Sequence, residues 1–301
     1  PRSTIMEVYM KKISGILLLL ALPALGISAR GRSEDSAAAF DTQRSINVVS
    51  REDGSGTRGA FIELFGIEVR GADGTRRDTT TREAVIANQT EVMMLNIAGD
   101  TYGIGYISLG SLNDTVAALS IEGVAATTAN VKNGTYPISR PFNIAVRANV
   151  SPLARDFIAF ILAAEGQAIA AQSYIPVNAS APAFSGTRPA GRIVVAGSSS
   201  VTPLMEKLTE AYALVNPAAV IEIQMSDSSA GISAAINGVC DIGMASRELR
   251  ESELRDLSSI QIAIDGLAVI VNKRNPLGNL SRAQVKSVFT GETTLWSALV
   301  P

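Results

Sequence analysis

The run Ser50-Arg51-Glu52-Asp53-Gly54-Ser55-Gly56-Thr57-Arg58 constrains this chain most. It follows an apolar stretch, Ile46-Asn47-Val48-Val49, and leads into Gly59-Ala60-Phe61-Ile62-Glu63-Leu64-Phe65. That order predicts a strand, a glycine-rich turn and a helix N-terminus. Such a turn directs unpaired backbone N–H groups at one point, where the helix dipole favours negative charge. Glycine lets the backbone approach a ligand closely, and Ser55 and Thr57 add hydroxyl donors. Arg51 adds a planar fork suited to a tetrahedral oxyanion. The run is half of an anion site.

The same construction recurs downstream. Arg192-Ile193-Val194-Val195-Ala196 reads as a strand, followed by Gly197-Ser198-Ser199-Ser200-Val201-Thr202 and a helix opened by Pro203, with Thr202 able to cap it. Val220 to Met225 is the next strand; Ser226-Asp227-Ser228-Ser229-Ala230-Gly231 then leads into a helix over 232–236. Asp241-Ile242-Gly243-Met244-Ala245-Ser246-Arg247 is a strand ending in a hydroxyl and a guanidinium. Any one such turn reads equally as a helix cap, and Arg51 or Arg247 as a surface ion-pair partner. Their recurrence on apolar strands argues for one site, because ligands of open α/β sheets sit beyond the carboxyl ends of the strands.

Composition narrows the chemistry. The chain has 301 residues, 47% hydrophobic and 18% charged, which is ordinary for a globular protein with a real core. A net charge of −2 leaves no basic surface for nucleic acid. With no histidine, Ser–His–Asp and Cys–His catalysis and histidine metal sites are excluded. The single cysteine, Cys240, permits no internal disulfide and reads as a small core residue in a buried strand. No metal site and no cofactor is expected.

Residues 10–29 read as a signal peptide: Met10-Lys11-Lys12, an apolar run from Ile16 to Leu25, then Gly26-Ile27-Ser28 for cleavage. The run is too short for an ordinary membrane span, and no lipid-bearing cysteine follows it. Residues 30–45 read as a polar, flexible segment. Ser151-Pro152 predicts the start of a helix with Leu153, Phe157, Phe160 and Ile161 on one face. Residues 179–191, rich in Pro, Gly, Ser and Ala, read as a linker.

Taken together, these motifs resemble those of the phosphate-specific substrate-binding proteins of ABC transporters. Arg51 to Thr57, Gly197 to Pro203, Ser228-Ser229-Ala230-Gly231 and Asp241 to Arg247 match the family's phosphate motifs. Ala263-Ile264-Asp265-Gly266-Leu267-Ala268-Val269-Ile270-Val271-Asn272 matches its first crossover strand, and Phe289-Thr290-Gly291 through Trp296 also matches. The resemblance covers most of Ile46 to Trp296, but in reversed order: segments like 192–296 come first in the family and segments like 46–177 follow. It implies an α/β, two-domain periplasmic-binding-protein fold (type II, a clam shell with two crossover strands) that is circularly permuted. The alternative is a fragment of a tandem fusion or a misjoined reading frame. The second domain is expected to combine 46–138 with 276–301, and the first 139–178 with 192–271, with Tyr136 to Pro141 as the return crossover.

The resemblance also implies roles. Phosphate is held by hydrogen bonds alone, by Arg51 oriented by Asp53, by Ser55, Gly56 and Thr57, by Ser200, Val201 and Thr202 mostly through backbone N–H, and by Ser228 and Ser246. Ser199 and Arg247 are secondary candidates. Some members carry an aspartate where Ser246 falls, which accepts the phosphate proton and helps to exclude sulfate. Asp227 either replaces that acceptor or faces solvent. The expectation is a non-enzymatic, periplasmic or secreted phosphate binder that delivers to a membrane ABC permease. The alternatives are a binder of another oxyanion such as sulfate, and a phosphatase-like enzyme using Ser55. A monomer is expected, with a swapped dimer as the alternative.

Overall fold

The structure, a computed structural model, describes residues 39–71 and 75–299. The expected signal peptide and residues 30–38 of the expected flexible segment lie outside the described residues. In chain order the elements are β1 (Asn47–Arg51), α1 (Gly56–Leu64), β2 (Glu68–Arg70), β3 (Arg76–Asp78), β4 (Val85–Ala87), α2 (Thr90–Gly99), β5 (Gly103–Ser108), β6 (Val116–Ala118), β7 (Ser120–Ile121), α3 (Thr128–Lys132) and β8 (Ser139–Val146). There follow α4 (Pro152–Leu162), α5 (Ala164–Ala170), β9 (Ile175–Pro176), β10 (Gly191–Ser198), α6 (Thr202–Val215), β11 (Ala219–Ser226), α7 (Ser228–Ile236), β12 (Ile242–Ala245), β13 (Ser258–Asn272), β14 (Asn279–Leu280) and α8 (Arg282–Phe289).

The main sheet runs β11-β10-β12-β8-β13-β5-β1-β4. Its two flanks are parallel: β10 with β11 and β12, and β1 with β4 and β5. Its centre is antiparallel, with β8 between β12 and β13 and β13 beside β5. Parallel strands need crossover helices; β1, β5, β10 and β12 are largely buried, while the edge strands β4 and β11 keep exposed residues. Helix α4 begins as its sequence dictates: Ser151 caps it through Ala154 N, Pro152 opens it, and Leu153, Phe157, Phe160 and Ile161 are buried.

Two large cores form. One joins residues between Ile46 and Ile138 to residues between Leu267 and Leu299, with Trp296 fully buried and Phe61 stacked on Tyr106 at 3.8 Å. The other lies between Phe142 and Ala263, around Phe157, Phe160 and Tyr212. We call these the Trp296 lobe and the Tyr212 lobe. The segment of β8, with Ile138 just before it, and β13 run through both levels: Phe142 and Ala263 belong to one core, Ile138 and Leu267 to the other. Aromatic stacking and area burial together make such cores the main stabilising term.

Three local expectations change. Residues 40–45 are packed: Phe40 lies 5.7 Å from the Trp296 ring, Ser45 bridges Leu295, and Thr42 O accepts from Ser297 N at 2.7 Å. Cys240 precedes β12 instead of lying in a strand; it is buried, and burial pushes its thiol above the ordinary range. The linker has no regular structure before Gly191, yet it is anchored. The buried Asp156 carboxylate accepts from Thr187 N at 2.6 Å, Arg188 N at 3.3 Å and the Tyr212 hydroxyl at 2.7 Å.

Candidate functional site

The strand-to-helix turns of the two lobes meet. At the end of β1, Ser55 caps α1 by accepting from Arg58 N, which leaves Gly56 and Thr57 in the first helical turn. Across from them, β10 ends at Ser198 and the turn through Ser199 and Ser200 leads into α6. The Thr57 and Ser200 hydroxyls lie 2.8 Å apart, and Arg51 Nη2 donates to Ser199 Oγ at 3.1 Å. Gly56 faces Ser228 and Ser246 so closely that a Cβ there would stand 2.5 Å from Ser228 Oγ and 2.8 Å from Ser246 Oγ. Ser246 N donates to Ser228 Oγ, and Ser198 Oγ to Ser246 Oγ. A backbone bond from Ser229 N to Gly54 O, 3.2 Å, closes the rim.

Arg51, Ser55, Gly56, Thr57, Ser200, Ser228 and Ser246 are therefore gathered in one buried place. The start of α6 differs from expectation at its cap. Val201 is the N-cap residue of α6, its side chain lies in the core, and its N–H donates to Ser198 O. The Thr202 hydroxyl donates back to Ser198 O at 3.1 Å instead of capping the helix.

The partners of Arg51 also differ. Glu52, not Asp53, grips the guanidinium: Nε to Oε2 is 2.8 Å and Nη2 to Oε1 is 2.7 Å. Arg51 Nε also donates to Ala87 O. Asp53 points outward, 97% exposed, and pairs with Arg58 at 2.9 Å. A bidentate carboxylate balances the charge of a buried guanidinium and fixes its plane. Arg51 N donates to the Tyr106 hydroxyl at 3.1 Å. Burial raises the Tyr106 phenol above its ordinary value, so the ring stays neutral.

Asp227 caps α7 by accepting from Ala230 N at 2.8 Å, and its carboxylate fills the space beside Gly54, where a Cβ would collide with it. It stays partly exposed to solvent and makes no hydrogen bond to the Ser246 hydroxyl. Arg247 is held at a distance by Glu253, 2.8 Å, and touches Ser229 Oγ at 3.4 Å.

The sequence reading missed Thr90. This buried residue opens α2, and its hydroxyl lies 3.3 Å from both Ser199 Oγ and Ser200 Oγ. The available signal was a hydroxyl after Val85-Ile86-Ala87 and before an apolar helical run, the same construction as the other turns.

A guanidinium, convergent helix N-termini and a ring of hydroxyls can surround a tetrahedral oxyanion with hydrogen-bond donors. The Ser55 hydroxyl accepts a cap bond and has no histidine to activate it. Among the described residues no group of three or more His, Cys, Asp or Glu side chains is placed to hold a metal ion.

Comparison with known proteins agrees with this geometry. The PBP superfamily domain matches residues 35–165 and 182–301, spans that contain every residue of the cleft. Phosphate-binding protein PstS 2 of Streptococcus agalactiae is 49% identical over 291 residues, 96% of this chain and 98% of its own. The chain belongs to the phosphate-binding protein PstS family. A crystal structure of the phosphate-binding protein of a phosphate ABC transporter from Streptococcus pneumoniae superposes with a TM-score of 0.68 at 44% identity. It covers 85% of this chain and 100% of its own. PstS of Bacillus subtilis is 30% identical over only 112 residues, 36% of this chain and 37% of its own. The α/β fold is accordingly that of a two-domain PBP protein.

Proposed function

We propose that this protein binds inorganic phosphate between its two lobes and delivers it to an ABC-type permease. The observation that carries the reading is the convergence of Arg51, Gly56, Thr57, Ser199, Ser200, Ser228 and Ser246 from both lobes on one buried point. Arg51 supplies charge-assisted donors, the first turn of α1 supplies N–H groups, and the hydroxyls wrap the remaining oxygens. Relatives named for phosphate binding, one of them part of a phosphate ABC transporter, support the same ligand and partner. The protein acts by binding and release, without turnover. Delivery to a permease requires export, and the signal-like residues 10–29 suit a periplasmic or secreted location.

We also propose the permuted order. Residues near the two ends of the described chain pair with each other through Ser45 and Leu295, as they must if one continuous segment has been opened there. The anchored linker then joins the family's usual ends. Re-permuting the chain, with residue 299 joined to residue 40 and new ends at 184–185, tests it: retained phosphate affinity and circular dichroism are expected, and failure to fold would count against it.

Sulfate is the rival ligand, because the nearby carboxylates Glu52 and Asp227 are committed to Arg51 and to α7. Calorimetric titration with phosphate and sulfate decides between them. Phosphate binding the more tightly is expected; equal or tighter sulfate binding would overturn the assignment.

A further inference from the structure

Helices α1 and α7 carry side-chain caps, from Ser55 and Asp227, whereas no side chain caps α2, whose N-cap residue is Gln89. The first residue of α2, Thr90, is fully buried. It belongs to the Trp296 lobe, where Met93, Met94 and Ile97 of the same helix enter the core. Its hydroxyl nevertheless meets the other lobe, at 3.3 Å from Ser199 Oγ and 3.3 Å from Ser200 Oγ. On its own side it lies 3.5 Å from Arg51 Nη1. Thr90 thus stands where Arg51 and the β10–α6 turn come together.

We propose that Thr90 is a further positioning residue of the oxyanion site, setting the geometry of Arg51 and of the Ser199–Ser200 turn when the lobes close; this rests on the phosphate-binding reading above. Arg51 Nε and Nη2 are committed to Glu52, Ala87 O and Ser199. Nη1 is the remaining corner of the guanidinium, and Thr90 is the side chain beside it. A hydroxyl that accepts from Nη1 has its own hydrogen left to donate across the cleft. The Thr90 O–H is then directed at Ser199, Ser200 or an oxyanion oxygen held between them. A methyl group in its place would leave the Arg51 Nη1 donor on one lobe and a hydroxyl acceptor on the other without this partner.

The test is calorimetric phosphate binding by the full chain. T90V is expected to weaken binding about ten-fold, and T90S to restore it to within about three-fold. T90V and S199A should also be coupled, with a combined loss smaller than the product of the single losses, because they remove the two ends of one contact across the cleft. T90A replaces T90V if the valine variant fails to fold. Wild-type affinity in T90V or T90A, equal losses in T90V and T90S, or independent losses with S199A would each overturn the proposal. A wild-type protein that binds no phosphate would instead overturn the underlying function.

Discussion

Arg140 and Asp265 oppose each other across β8 and β13 at the level where the two cores meet, with Nη2 3.1 Å from Oδ2. Both side chains are buried. The other carboxylate oxygen accepts from Ser108 Oγ at 2.9 Å and from Gly110 N at 3.3 Å. The two strands that connect the lobes are therefore tied together at the point where they must flex. Removing one member of a buried pair strands the other. D265A is expected to cost about 3–5 kcal/mol of stability in urea unfolding. An effect below about 1 kcal/mol would mean that the pair is not buried as described.

Among the described residues, Arg51 carries the guanidinium that contacts the hydroxyls of Ser199 and Thr90. R51A should weaken phosphate binding by about 2 kcal/mol or more, because charged hydrogen bonds are lost and the Glu52 carboxylate is left facing an anion. Calorimetry measures this, and unchanged affinity would remove Arg51 from the site.

Gly56 separates the lobes by no more than the space of its own hydrogen. G56A should hold the cleft apart at Ser228 and Ser246. Phosphate affinity is expected to fall at least about ten-fold while the melting temperature stays close to wild type, because alanine favours the helix that Gly56 begins. G197A offers the contrast: Gly197 has φ +133 and a Cβ there would meet the Met244 backbone, so folding itself should suffer.

Two carboxylates make stability fall in acid. Burial pushes Glu253 up, but the hydrogen bonds and charge of Arg247 and Arg250 outweigh it and hold the group below its ordinary value. Asp78 behaves alike: burial raises it, and Thr80 and Arg58 together pull it lower. A lowered folded value means stability that is present above the unfolded value and lost as pH falls through the folded one. Urea unfolding from pH 7 to pH 3 should show stability declining below about pH 4. E253Q should be weaker at pH 7 and decline less steeply; an identical slope would count against the assignment.

The strands and the turns after them were legible because apolar runs ending in Gly, Ser and Thr leave few alternatives for a chain of this period. The contacts within the turns were less so. Whether Glu52 or Asp53 meets Arg51 depends on how the backbone rotates after β1, and neighbouring acids in a turn look alike in a sequence. Thr90 was hidden by being ordinary, since a hydroxyl at a helix start is usually a cap. Arg140 and Asp265 are separated by 125 residues, and only the register of β8 against β13 brings them together. The composition of 30–45 pointed to flexibility, while Phe40 alone supplied enough apolar surface to dock on Tyr102 and Trp296.

The division of the Trp296 core between residues 46–138 and 267–299 has a consequence for biosynthesis. A chain emerging from the ribosome would expose Val48, Phe61, Ile97 and Tyr106 early, yet β13, α8 and Trp296, which cover them, come last. At about 5–20 residues per second, the wait from Ile138 to Leu267 is roughly 6 to 25 seconds. The Tyr212 lobe, contiguous in the chain, has all its parts within that interval. The lobe begun first is the lobe completed last, and its half-built apolar face is what a chaperone would meet.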